Sequence, residues 1–102
     1  MKTSFYPSLK KVPLSLIFYA LSDPVRLEII RTLLENDELS CGSCKSPLSK
    51  STMSHHFKVL RESGLIEKRG EGKVHYLSLR RVEIESRIPG LLTILEKIKG
   101  PI

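Results

Sequence analysis

Residues 49–79 read SKSTMSHHFKVLRESGLIEKRGEGKVHYLSL, and the fold follows from this stretch. Ser49 offers a hydroxyl N-cap with Thr52 three residues on, ahead of a run without Gly or Pro that reaches Ser63. Gly64 then supplies the stop one position past the helix. Beyond it, Leu65-Ile66-Glu67-Lys68-Arg69 and Lys73-Val74-His75-Tyr76-Leu77-Ser78-Leu79 flank Gly70-Glu71-Gly72, the pattern of a β-hairpin with a basic tip. On a wheel of about 100° per residue, Met53, Phe57 and Leu60 share one side with Val59 beside them, so that side faces a core. Ser51, Ser54, His55, Lys58 and Glu62 occupy about 100° of arc opposite, with Lys50 and Arg61 on the flank.

Toward the N-terminus, Leu14, Ile17, Phe18 and Leu21 recur at i, i+3, i+4 and i+7, one face of a helix that stops at Ser22. Asp23 stands where an N-cap belongs and Pro24 where a first helical residue belongs, since the missing proline N–H costs nothing there. The second helix carries Val25, Ile29, Ile30, Leu33 and Leu34 and runs out at Asn36-Asp37. Leu39, Cys41 and Cys44 predict a short helix over 38–46, which Pro47 ends. Past the hairpin, a polar link with Glu83 and Glu85 leads to Pro89, which opens a last helix over 89–99 with the stripe Leu91, Ile94, Leu95 and Ile98. Residues 1–12 show no clear period and read as an N-terminal arm. The order predicts a mainly α winged helix-turn-helix domain over 13–100, with a two-stranded β-hairpin as its wing.

At 102 residues the chain has room for one domain. With 40% hydrophobic and 27% charged residues it is apolar enough to fold. The net charge is +6, and the stretch from Lys50 to Arg81 holds eight cations against three carboxylates, so it carries five of those six charges. A localised basic stretch points to a polyanionic partner. The Lys10-Lys11 pair before the apolar run 12–21 looks like a leader, but Pro13 and Ser15 interrupt the run, which reads instead as the domain's own first helix. No run of about 18 apolar residues exists to span a membrane, and the cysteine usage fits a reducing cytoplasm.

A small, polar, basic helix face suits the major groove of duplex DNA. Short hydroxyls let the helix backbone approach closely, Lys and His can donate to purine N7 or O6, and a Thr methyl can meet a thymine methyl. The candidate base-contacting residues are Ser51, Thr52, Ser54, His55 and Lys58. The candidate phosphate contacts are Lys50, Arg61, Lys68, Arg69 and Lys73, the last three on the wing. A solvated helix face and an edge hairpin guarded by lysines are the plainer alternatives. Helix and wing carry the same sign, which favours the nucleic acid.

These residues also match a known family. Ala20-Leu21-Ser22-Asp23-Pro24-Val25-Arg26-Leu27-Glu28-Ile29-Ile30, then residues 48–66, then Gly72-Lys73-Val74-His75-Tyr76-Leu77 closely resemble the ArsR family of winged-helix transcriptional repressors, over residues 14–98. The resemblance implies a homodimeric repressor of duplex DNA with 49–63 as its recognition helix. It also implies dimer contacts from the first and last helices, here Leu14, Ile17, Phe18, Leu91, Ile94, Leu95 and Ile98. The family's metal sites do not carry over. Members with a Cys-x-Cys motif hold it before the recognition helix, where this chain has Cys41-x-x-Cys44 in a segment two residues shorter, and the last helix contains no His, Asp or Cys.

Cys41 and Cys44 leave three readings open: inert structural thiols, a thiol redox switch, or half of a metal or metalloid thiolate site. His55 and His56 are expected on the DNA face and its margin rather than as further ligands. No cofactor motif is present, and no Ser/His/Asp or paired-carboxylate arrangement points to an enzyme. A small C-x-x-C thiol oxidoreductase lacks its βαβ context. Six aromatics without Trp make a poor stacking surface for single-stranded nucleic acid.

Overall fold

The computed structural model describes residues 8–40 and 48–102. In chain order it contains α1 (Leu14–Leu21), α2 (Pro24–Glu35), β1 (Leu39–Ser40), α3 (Lys50–Glu62), β2 (Ile66–Glu71), β3 (Val74–Leu79), α4 (Arg81–Arg87) and α5 (Leu91–Lys97). The architecture is a winged helix-turn-helix, helical with a small antiparallel sheet.

Local signals set most helix ends. Asp23 Oδ1 accepts from the amides of Val25 at 2.8 Å and Arg26 at 3.3 Å, which satisfies two of the free N–H groups that open α2. Ser49 Oγ caps α3 by accepting from the Thr52 amide at 3.2 Å. At the other end of α3, Gly64 N donates to Arg61 O and Leu65 N to Leu60 O, the two bonds of a Schellman motif. Gly64 takes φ +84°, the left-handed conformation that this motif demands. The chain thereby leaves α3 and reaches β2 through Ser63, Gly64 and Leu65.

The core gathers one face from every layer. Ile17, Ala20 and Leu21 of α1, Ile29, Ile30 and Leu33 of α2, and Met53, Phe57, Val59 and Leu60 of α3 meet Leu65, just before β2, and Ile66, Leu77 and Leu79 from the sheet. Each such side chain, fully buried, contributes about 1.5–3 kcal/mol of hydrophobic stabilisation before entropy is counted. The side of α3 expected to face the core does so.

Three local expectations are corrected. From residue 8 the expected arm is part of the domain, because Leu9 and Val12 are buried and Arg87 donates to their carbonyls at 3.2 and 3.1 Å. The start of the helix expected over 38–46 is a strand: Leu39 and Ser40 pair antiparallel with Leu77 and Tyr76, giving a three-stranded sheet in the order β1-β3-β2. Leu39 gains an apolar partner in Leu77 there, a contact no local helix offers; the rest of that segment, 41–47, lies outside the described residues. The polar link after the hairpin is helix α4, anchored by Ile84, which is fully buried. Pro89 and Gly90, the latter at φ +87°, separate it from α5, so the last helix starts two residues later than expected.

Candidate nucleic-acid interface

Helix α3 presents the expected polar face. Ser51, Thr52, Ser54, His55, Lys58 and Glu62 are exposed, as is Lys50, while Met53, His56, Phe57, Val59 and Leu60 are buried. At its N-terminus the hydroxyls of Ser49, Ser51 and Thr52 form a cluster, with Ser49 Oγ 3.1 Å from Ser51 Oγ and donating to Thr52 Oγ1 at 2.9 Å. Short hydroxyls so placed hold no bulk away from a groove. Arg61, expected on the flank, is half-buried, and its Nε lies out of solvent without a hydrogen-bond partner among the described residues. Only its outer nitrogens are therefore suited to a phosphate.

The wing follows directly. Gly72 and Lys73 form a two-residue turn between the paired residues Glu71 and Val74, and Gly72 takes φ +62° at the first turn position. Lys73 is therefore exposed at the tip. None of the ion pairs among the described residues involves Lys50, Lys58 or Lys73.

Arg69 differs from what its sequence suggests. Its Nε and Nη2 donate to the two carboxylate oxygens of Glu38 at 3.0 and 2.8 Å, its Nη1 donates to Glu71 at 2.6 Å, and its guanidinium lies 4.7 Å from the centre of the Tyr76 ring across the hairpin. Hydrogen bonding to Arg69 holds the Glu38 carboxyl below the usual carboxylate range, and the same bonds raise Arg69 further above its own. An exposed pair of this kind adds little stability, but its geometry matters. With Glu38, Glu67 and Glu71 beside Lys68, Arg69 and Lys73, the wing region carries three carboxylates for three cations. The wing therefore carries no net positive charge, and Lys73 stands exposed at its tip.

Sequence reasoning misplaced His56 at the margin of the DNA face. It lies buried, with Nδ1 3.1 Å from Nη1 of Arg26, itself a buried cation. The signal was present in the spacing: His56 stands at i+3 from Met53 and i−4 from Leu60, on the core side of the wheel.

The residues expected at a dimer interface divide. Leu14, Phe18, Ile94 and Ile98 are exposed at 43–58% of their surface, and Leu95 is half-buried. Ile17 and Leu91 lie beneath this surface, packed into their own subunit, because α1 turns Ile17 toward α2 and Leu91 opens α5 against the core. Cys41 and Cys44 fall outside the described residues. Among the described residues no group of three or more His, Cys, Asp or Glu is placed to hold a metal ion, and no helix is long and apolar enough to cross a membrane.

Comparisons with known proteins agree with this architecture. A family of helix-turn-helix domains matches residues 21–69. The HTH-type transcriptional regulator YceK of Bacillus subtilis is 48% identical over 82 residues, covering 78% of this chain and 82% of that protein. Among solved structures, HlyU from Vibrio cholerae superposes with a TM-score of 0.68 at 29% identity, over 82% of this chain and 88% of that one. An ArsR-like transcriptional regulator from Rhodococcus sp. RHA1 gives a TM-score of 0.60 at 26% identity, over 79% of this chain and 77% of that one. The polar face of α3, the wing beside it and these relatives agree, and the chain belongs to the ArsR family of winged helix-turn-helix DNA-binding transcriptional regulators.

Proposed function

We propose that the protein is a cytoplasmic repressor that binds a pseudo-palindromic operator as a homodimer, with two α3 helices in successive major grooves about one helical turn apart. The observation that carries this reading is the exposed face of α3, made of hydroxyls, the His55 imidazole, Lys58 and Glu62 with Lys50 at its flank, which stands on a packed opposite face. Ser51, Thr52, Ser54, His55 and Lys58 meet base edges; Lys50, Arg61, Lys68 and Lys73 meet phosphates. Arg69 reaches a phosphate by giving up Glu38, and otherwise braces the wing against β1. The dimer is supported by Leu14 and Phe18 on α1 together with Ile94 on α5 and Ile98 just beyond it, four large apolar side chains left in water on the single chain.

Cys41 and Cys44 lie between β1 and α3, so a disulfide or a bound thiophilic metal there acts on the entry to the recognition helix without a distant relay. A selection of random-sequence duplexes, run with reduced and with oxidised protein at two salt concentrations, tests both readings. The expected result is an enriched inverted repeat; loss of enrichment on oxidation assigns the cysteines as the switch. Binding that is salt-sensitive and blind to sequence contradicts operator recognition, and enrichment that is the same in both redox states dismisses the thiol switch.

A further inference from the structure

His56 is a titratable side chain buried in the middle of the recognition helix, 8% exposed, and nothing in groove recognition accounts for it. Its partner Arg26, 4% exposed, is equally unusual in a core. Arg26 donates through Nε to Ala20 O at 2.7 Å and through Nη2 to Tyr19 O at 3.1 Å, both in the last turn of α1, and its guanidinium lies 5.0 Å from the centre of the Tyr19 ring. Its remaining face points at α3, where Nη1 lies 3.1 Å from His56 Nδ1. One side chain from α2 therefore joins the end of α1 to the middle of α3.

The chemistry of this contact fixes the state of the imidazole. A guanidinium only donates, so Nδ1 must accept, and His56 is neutral with its proton on Nε2. A second proton, on Nδ1, sets N–H against N–H and one cation against another. The other groups facing the ring are the Asp23 carboxylate at the N-cap of α2, 3.9 Å from Nδ1, and the His55 ring on α3, 5.8 Å away between centroids. Asp23 can receive the Nδ1 proton only if α3 shifts toward the start of α2.

We propose that the Arg26–His56 contact sets the orientation of α3 on α1 and α2, and that protonation of His56 exchanges Arg26 for Asp23 and weakens sequence-specific DNA binding. His56 acts as a positioning residue, because it lies behind the DNA-reading face and touches no base. The proposal rests on the reading of α3 as the recognition helix. The preference for operator over random sequence isolates it, since a change in the protein's overall charge alters attraction to any duplex alike.

The test measures that preference between pH 7.5 and 5.5 for the wild-type protein and for His56→Asn, whose side-chain oxygen can accept from Arg26 but does not titrate. The wild type is expected to lose about tenfold in preference, the size of one charge-assisted hydrogen bond, while His56→Asn stays level. A wild-type preference independent of pH, or an equal loss in both proteins, overturns the proposal. Nitrogen-15 NMR of the wild-type histidines checks it without any variant: at pH 7.5 the expected tautomer of His56 has its proton on Nε2, and a proton on Nδ1 refutes the contact. A wild type that prefers no duplex at pH 7.5 refutes the DNA-reading assignment along with this proposal, whereas a preference that ignores pH refutes this proposal alone.

Discussion

Replacing Gly64 with alanine should destabilise the domain more than any other single-methyl addition at the glycines among the described residues. The site has φ +84°, a conformation that costs an L-residue roughly 1–2 kcal/mol. The new Cβ also stands 2.7 Å from Leu9 Cδ1 and 3.4 Å from Arg80 Nη1. Leu9 is only 3% exposed, so its side chain has little room to swing aside, and overpacking of this kind costs about 1–3 kcal/mol. Together the two effects give about 2–5 kcal/mol. At roughly 4–8 °C per kcal/mol for a domain of this size, the melting temperature falls by about 10 °C or more. Thermal and urea unfolding followed by circular dichroism measure it. A companion experiment separates the causes: in a Leu9→Ala background the same substitution loses its clash with Leu9 Cδ1 and keeps only the looser contacts with Arg80 Nη1 and Val12 Cγ2, so its cost should shrink by about 1 kcal/mol, a coupling well outside additivity. A loss below about 0.5 kcal/mol in the wild-type background, or strict additivity of the pair, refutes the account of how α3 is joined to the wing.

The remaining expectations concern the site, the cap and the interface. Glu38→Gln should release Arg69 toward DNA, raising affinity for random duplex and steepening its salt dependence by about one phosphate; an unchanged slope refutes the view that Glu38 withholds this cation. Asp23→Ala should cost about 1 kcal/mol at neutral pH through loss of the α2 cap. Burial pushes the Asp23 carboxyl up, but the Val25 and Arg26 amides that donate to it, with the Arg26 guanidinium, outweigh it and leave it below its ordinary value of 3.8. Its stabilisation is therefore present above that value and lost as pH falls through the lowered one, so urea titrations of variant and wild type should converge in acid. Phe18→Glu or Ile94→Glu, each at a site about half exposed on the single chain, should leave the fold intact and yield monomers in sedimentation equilibrium. A wild type that is itself monomeric contradicts the proposed interface.

What the sequence made legible was local. The Asp23-Pro24 start of α2, the Ser49 cap and the Gly64 stop each depend on residues within one helical turn, and the structure realises all three. Strand β1 was not legible, because Leu39 is held by Leu77 from the far side of α3 and a two-residue strand has no period of its own. Helix α4 escaped notice since Ile84 is the only residue it buries, which leaves no stripe to detect. Arg69 read as a free wing cation because its partner Glu38 lies 31 residues away. His56 was misjudged by its polarity: the wheel put it on the core side, and a buried arginine from another helix supplied the partner that makes such a site tolerable.

The claim that the exposed face of α3 reads base sequence is tested most directly by comparing the duplexes selected by wild type, Ser54→Ala, His55→Ala and Lys73→Ala. The two substitutions on α3 should change which bases are preferred within each half-site, and Lys73→Ala at the wing tip should weaken all duplexes alike while flattening the salt dependence. Unchanged base preference in both α3 variants contradicts the account.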